Sequence, residues 1–287
     1  MSRRVKYIIM GLFICAALSF ATVSCMQLFS GKNKDYIDMD SIDLVQTKEP
    51  EAGAPIATIK TTLGDITAVL YPDKAPETVK HFTELAKSGY YDNTYVFNCE
   101  QGYYFAAGSP KKNGDLDESK PDGIEEWEQE LSHDLWTFKG ALCSIPTGDS
   151  GGFWDKLTGK SKVLNGSRFT ILGSEDFTEE FKQQLLEKSE YQKLAEKYIE
   201  LRGVPALAQT ITVFGQVYDG FDVLEKLLSL ETAKSSNEEV NIPVDDVMIK
   251  TIEIGSYKTR GEWALTESVK ETTAVSATTV AQTTSSK

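Results

Sequence analysis

Histidine is almost missing from this chain, with two among 287 residues, and cysteine is nearly as scarce, with four. The spacing fits no metal motif: there is no CxxC pair, and His81 and His133 are the only histidines. Positive charge is also in short supply. Thirty Lys and Arg stand against 43 Asp and Glu, for a net charge of −13. That balance repels phosphate backbones, and no basic stripe interrupts it, so nucleic-acid binding is excluded. Long apolar runs are missing except for one near the N-terminus, which excludes a multi-span membrane protein. What is present is an ordinary globular mixture, 40% hydrophobic and 25% charged, with 21 Gly and 9 Pro.

The single apolar run has the build of a targeting segment. Arg3, Arg4 and Lys6 precede an uncharged stretch over residues 7–23, and Thr22-Val23-Ser24-Cys25 closes it. Small residues before a Cys resemble a bacterial lipobox, in which the Cys is lipidated. Residues 1–24 are therefore expected to be a signal peptide and Cys25 a lipid anchor, with an uncleaved anchor helix as the alternative. Either arrangement holds the folded part on the extracytoplasmic face of a bacterial cell membrane. Residues 25–54, rich in Asp, Lys and Glu, read as a polar spacer. The Ser/Thr-rich residues 258–287 read as a disordered tail. Residues 55–257 remain for one domain. Cys99 and Cys143 are its only cysteines, as a disulfide or as two buried thiols.

Within the domain, residues 56–62 and 66–71 alternate around Leu63-Gly64-Asp65, as a β-hairpin does. Pro76 opens a helix whose apolar face is Val79, Phe82, Leu85 and Ala86, ended by Gly89. Short strands follow near residues 94–99, 103–107, 140–145 and 168–172. Residues 176–202 repeat apolar residues at helical spacing and form an inserted helix. A strand at 210–217, a helix at 221–229 and a strand at 247–254 complete the domain. Many short strands with few helices point to a closed antiparallel barrel capped by helices.

The segment TTLGDITAVLYPDKAPETVKHFTELAKSGYYDNT resembles the start of the cyclophilin-type peptidyl-prolyl cis-trans isomerase domain. GYYFAAGSP, KGALCSI, NGSRFTIL and VFGQVYDGFDVLEKL resemble later parts of that domain, in the same order. The resemblance implies a mainly β fold: a closed eight-stranded antiparallel barrel with two capping helices, here with an extra helical insertion at 176–202. It also implies a folding helper for exported proteins that binds proline-containing extended polypeptides, with no cofactor and no metal. Rotation about an X–Pro bond breaks amide resonance, against a barrier of about 18–20 kcal/mol. The family lowers it with an apolar pocket for the proline ring and an Arg near the proline nitrogen, in the segment FHRVIPGFMIQGG.

The scaffold motifs are kept while the site positions differ. The matching segment reads VFNCEQGYYFAAG, so Asn98 stands at the family's Arg, Tyr103 at its pocket Phe, Tyr104 at its Met and Ala106 at its Gln. Arg168 replaces a Gln and Thr170 a pocket Phe; Ala206 replaces a Trp, Leu207 is retained and Ile211 replaces a His. Ile145 and Pro146 stand at the groove's Ala and Asn. These departures imply weak isomerase activity, with a non-catalytic peptide-binding chaperone or scaffold as the alternative. Arg168, gained where Asn98 was lost, is expected either to be a relocated cation or to pair with a nearby acid.

Other signals are set aside. Gly148-Asp149-Ser150-Gly151-Gly152 copies an active-serine motif, but neither His has the context of a catalytic base. His81 is expected on the exposed side of its helix. Asn165-Gly166-Ser167 is a glycosylation sequon by composition only, and the acidic stretch 115–130 reads as a solvated face.

Overall fold

The computed structural model describes residues 42–115, 126–149, 162–188, 192–235 and 240–258. The signal segment, Cys25, the first part of the spacer, Ser150 to Gly152, most of the acidic stretch and the tail from residue 259 lie outside the described residues.

The hairpin forms as its alternation predicts: β1 (Pro55–Thr61) pairs antiparallel with β2 (Gly64–Leu70). Ala57, Ile59, Ile66 and Ala68 point inward and are fully buried. Next come α1 (Pro76–Lys87), β3 (Thr94–Glu100), β4 (Tyr104–Ser109), the short β5 (Trp127–Glu128), β6 (Ala141–Asp149) and β7 (Val163–Leu172). The helices α2 (Glu179–Lys188) and α3 (Gln192–Leu201) follow, then β8 (Val213–Asp219), α4 (Phe221–Leu228), β9 (Thr232–Lys234), β10 (Asn241–Pro243) and β11 (Met248–Ser256).

Eight strands run in the order β4-β3-β11-β1-β2-β8-β6-β7, and β7 pairs back onto β4 to close the barrel. Closure removes every free edge from the eight-strand ring. α1 and α4 cap its interior. Val79, Phe82, Leu85 and Ala86 of α1 and Phe221, Leu224, Leu227 and Leu228 of α4 share one core with Phe105, Phe169, Ile171 and Phe214. The start of α1 is held from outside: Glu130 accepts the N–H groups of Glu77 (3.1 Å) and Thr78 (2.8 Å) and the Thr78 hydroxyl (2.7 Å). A carboxylate there satisfies orphan donors and complements the helix dipole. Glu130 thus leaves the solvated acidic face for a structural role.

Three other expectations change. The insertion is two helices, α2 and α3, rather than one. Phe177, Phe181 and Leu185 form one apolar stripe and Leu194, Tyr198 and Leu201 another. Leu185 and Leu194 are nine residues apart, a rotation of about 180° on a straight helix. One helix would point its two stripes oppositely; two helices let both pack on Trp136 and Phe138. His81 is not free on the surface but stacks on Trp127, with ring centroids 4.4 Å apart and planes within 8°. Residues 42–54, assigned by composition to the spacer, include a segment folded against the domain. Gln46 is fully buried and bonds the backbone of Trp136 at both N (2.6 Å) and O (2.9 Å). It also donates to the Gln216 side chain (2.8 Å).

Cys99 and Cys143 are both buried free thiols, in different clusters on opposite faces of the barrel wall. Burial pushes the Cys99 thiol up to about 12 and the Cys143 thiol further, so both are inert. The Asn165 side chain is also buried, donating to Thr212 Oγ1 at 3.0 Å, which closes the sequon to a glycan.

Candidate functional site

On β4, Phe105 and Ala107 face the core, so Ala106 and Tyr104 face outward. On β7, Phe169 and Ile171 face the core, so Thr170 and Arg168 face outward. Ala106 is registered opposite both Asn98 and Thr170, and Thr170 opposite Cys143. Asn98, Ala106, Thr170 and Cys143 therefore form one row across β3, β4, β7 and β6. Asn98 is in that row because of a bulge. Strict alternation from inward Val96 would turn Asn98 inward and Cys99 outward. The register slips between Val96 and Asn98, so Phe97 is the extra residue and Asn98 is re-aimed to the outer face.

Above the row lies an apolar rim. Tyr103, Tyr104 and Leu207 pack against a cluster containing Leu172, Val204, Ile211 and Val213. Ala206 and Leu207 belong to the 3-10 turn Pro205–Leu207 and are half-exposed. Ile211 is buried. Thr170, at the pocket Phe position, turns its hydroxyl onto the Phe105 carbonyl at 2.7 Å, so it presents no free hydroxyl proton. Ile145 is half-buried on β6, beside a register shift between Ser144 and Pro146, and joins no apolar cluster among the described residues.

Asn98 is fixed from two sides. Its Nδ2 donates to Tyr104 Oη at 3.0 Å, and its Oδ1 accepts the Asn241 N–H of β10 at 2.9 Å. The position that carries a cation in the family is here a neutral amide that latches the β9–β10 hairpin onto β3. Burial pushes the Tyr104 phenol up to about 12, against the Asn98 hydrogen bond, so it stays protonated at neutral pH.

Arg168 shares the outer face with Thr170, but its guanidinium is turned to the loop after β4. Nη1 donates to the Gly114 carbonyl at 2.7 Å, and Cζ lies 5.9 Å from the Phe97 ring centroid. Its Nε is buried without a partner among the described residues, and it makes no ion pair with them. Burial lowers its pKa, opposed by Tyr90 and Asp115. Gly114 makes this approach possible: φ is +80°, and a Cβ there would meet the Phe97 ring at 2.5 Å.

The site thus joins Asn98, Tyr104, Ala106 and Thr170 with Tyr103, Ala206, Leu207 and Ile211. It keeps Arg168 to one side, and Ile145 outside the apolar rim. Two contributors escaped sequence reasoning. Asn241 reaches Asn98 across 143 positions. Glu175 accepts the Tyr103 hydroxyl at 3.1 Å. Neither carries a local signal, since an Asn in a turn and a Glu after a strand are commonplace.

A closed eight-stranded barrel with these positions gathered on its outer face defines the class. The sequence profile of the family described as cyclophilin type peptidyl-prolyl cis-trans isomerase/CLD matches residues 56–254, and the chain belongs to that family. Among curated relatives, a Streptococcus pyogenes protein described as a bifunctional phosphatase/peptidyl-prolyl cis-trans isomerase is 34% identical over 203 residues. That match covers 70% of this chain and 38% of the relative, so the chain spans well under half of that protein's length. A Staphylococcus aureus protein described as a peptidyl-prolyl cis-trans isomerase is 30% identical over 207 residues, covering 72% of this chain and 95% of its own length. Of solved structures, a Cryptosporidium parvum cyclophilin type peptidyl-prolyl cis-trans isomerase shares the fold at a TM-score of 0.50 and 23% identity. The match covers 71% of this chain and 99% of that one.

Proposed function

We propose that the domain binds proline-containing extended polypeptides along the outer face of β3, β4 and β7 and isomerises X–Pro bonds slowly. One observation carries this reading: the family's cationic position holds Asn98, tied to Tyr104 and Asn241, while an apolar rim of Tyr103, Leu207 and Ile211 is kept beside it. The rim supports binding. The amide supplies no positive charge to a de-conjugated proline nitrogen, so the twisted state gains little over the ground state.

Loss of such a charge-assisted contact costs about 3–4 kcal/mol, or roughly 10²–10³ in rate. A proline-isomerisation assay on the full-length chain in detergent is expected to show kcat/KM at least about 10²-fold below a cyclophilin carrying the Arg. Activity within about tenfold of that enzyme refutes the reading. Asn98→Arg is expected to raise the rate. Arg168→Ala tests the relocated cation: unchanged peptide affinity and rate in a folded variant would assign Arg168 to the loop alone. The second reading, a binding module without turnover, is favoured by the same double latch on Asn98 and holds if peptides bind while the rate stays at the uncatalysed level.

The proposed setting is the extracytoplasmic face of a bacterial membrane, through a lipid on Cys25. Its support is the basic start at Arg3, Arg4 and Lys6, the uncharged run after it, and the small residues before Cys25.

A further inference from the structure

Glu175 stands where β7 gives way to the helical insertion, and isomerase chemistry has no use for a carboxylate there. Its seat is rigid. Its own N–H donates to the Gly203 carbonyl at 2.9 Å, which closes the root of the insertion. The preceding Gly173 and Ser174 donate to the carbonyls of Tyr103 (2.7 Å) and Gly102 (2.8 Å). The carboxylate then touches both walls of the groove rim. Oε1 accepts the Tyr103 hydroxyl at 3.1 Å, and the Ala206 backbone amide lies close enough to favour the charged carboxylate.

What the carboxylate lacks is a counter-ion. Among the described residues, no Lys or Arg pairs with it. Arg202 lies over the Phe177 ring at 5.1 Å, Lys182 is bonded to Glu179, and Lys139 to Glu225. Burial pushes the Glu175 carboxyl above its ordinary range, opposed by the Tyr103 and Ala206 donors. A half-buried carboxylate without a cation is costly, and the one hydroxyl donor fills only part of its roughly four acceptor sites. No described cation of the site reaches it: Asn98 is neutral, and the charged Arg168 guanidinium is turned away onto the Gly114 carbonyl.

We propose that Glu175 is a specificity-determining residue of the groove, which receives the Lys or Arg side chain of a peptide whose basic residue flanks the proline. The inference rests on the peptide-binding reading above and adds the substrate class: basic, proline-containing segments rather than any X–Pro sequence.

The test is a calorimetric titration of the full-length chain in detergent with three peptides: acetyl-Ala-Ala-Pro-Ala-amide and its variants with Lys just before or just after the proline. One of the lysine peptides is expected to bind on the order of fivefold tighter than the alanine peptide at low salt. That preference should shrink between about 50 mM and about 500 mM salt, as a screened charge contact does. Glu175→Gln, nearly isosteric, is expected to bring the lysine-to-alanine affinity ratio to within about twofold of one. Tyr103→Phe, which keeps the charge, is expected to preserve the ratio. The proposal is overturned by equal binding of all three peptides to the wild-type chain, by a salt-independent preference, or by a preference that survives Glu175→Gln. It is also overturned if Tyr103→Phe abolishes the ratio as fully as Glu175→Gln does, since pocket shape would then be the cause. Binding of none of the peptides would overturn the peptide-binding reading as well, whereas equal binding leaves that reading standing. The salt dependence needs no variant, so a misfolded mutant does not shelter the idea.

Discussion

An amide at position 98 joins three strands that the family resemblance treats separately. Asn98 links β3 to β4 through Tyr104 and to β10 through Asn241. Removing it takes one hydrogen bond from the Asn241 N–H and one from the half-buried Tyr104 hydroxyl. Asn98→Ala is therefore expected to destabilise the domain by about 1–3 kcal/mol, read as a lower urea midpoint with an unchanged m-value. Hydrogen exchange should localise the loss to the β9–β10 hairpin. A midpoint equal to the wild type would show that the latch contributes nothing. At this scale the substitutions at 98, 106, 168, 170, 206 and 211 were legible from motif order alone. Their physical consequences were not. Nothing in VFNCEQG marks Phe97 as the bulged residue, and the bulge decides which face Asn98 takes.

Among the elements, the segment at Val45–Thr47 is the least expected. Its composition is that of a linker, yet Gln46 is held by three hydrogen bonds, to Trp136 N, Trp136 O and Gln216 Oε1. Ile42 and Leu44 pack on the cluster under the insertion, and Val45 packs on the cluster under the groove rim. This strap, the insertion and the groove share neighbours, so loosening one loosens the others. Gln46→Ala strands the buried backbone N–H of Trp136 and removes the Gln46 donor to Gln216 Oε1. The expected cost is on the order of 3 kcal/mol by chemical denaturation, with faster proteolysis of the strap ahead of global unfolding. A loss under about 0.5 kcal/mol would mean that the strap is merely laid on the surface. The two-helix insertion carries the complementary lesson. Both apolar stripes were visible in the sequence, but the break between them follows from the single hydrophobic surface, Trp136 and Phe138, that both must reach.

For the molecule as a whole, the acidic chain bears on how the domain is presented. On the proposed membrane setting, a chain of net charge −13 would be repelled by an anionic lipid surface, so a lipid on Cys25 would have to do the holding. On the proposed lipidation, Cys25→Ser is expected to yield either a soluble chain or an uncleaved precursor in cell fractionation. A variant that stays in the membrane with its signal removed would refute lipid anchoring at Cys25.

The sequence by itself determined the family, the order of the eight barrel strands and the two capping helices, and the apolar faces of α1 and the hairpin. These are properties of contiguous segments, in which periodicity and motif spacing act over a few residues. Tertiary structure alone decided that Asn98 latches a hairpin 143 positions away, that Gln46 is core rather than linker, and that Tyr103 and Glu175 meet at the rim. It alone decided that Cys99 and Cys143 lie on opposite faces and stay thiols. Each of those outcomes depends on strand register and barrel closure. A one-residue bulge reverses a face, and closure brings β7 against β4. Such long-range geometry leaves no trace in the neighbours of the residues it joins.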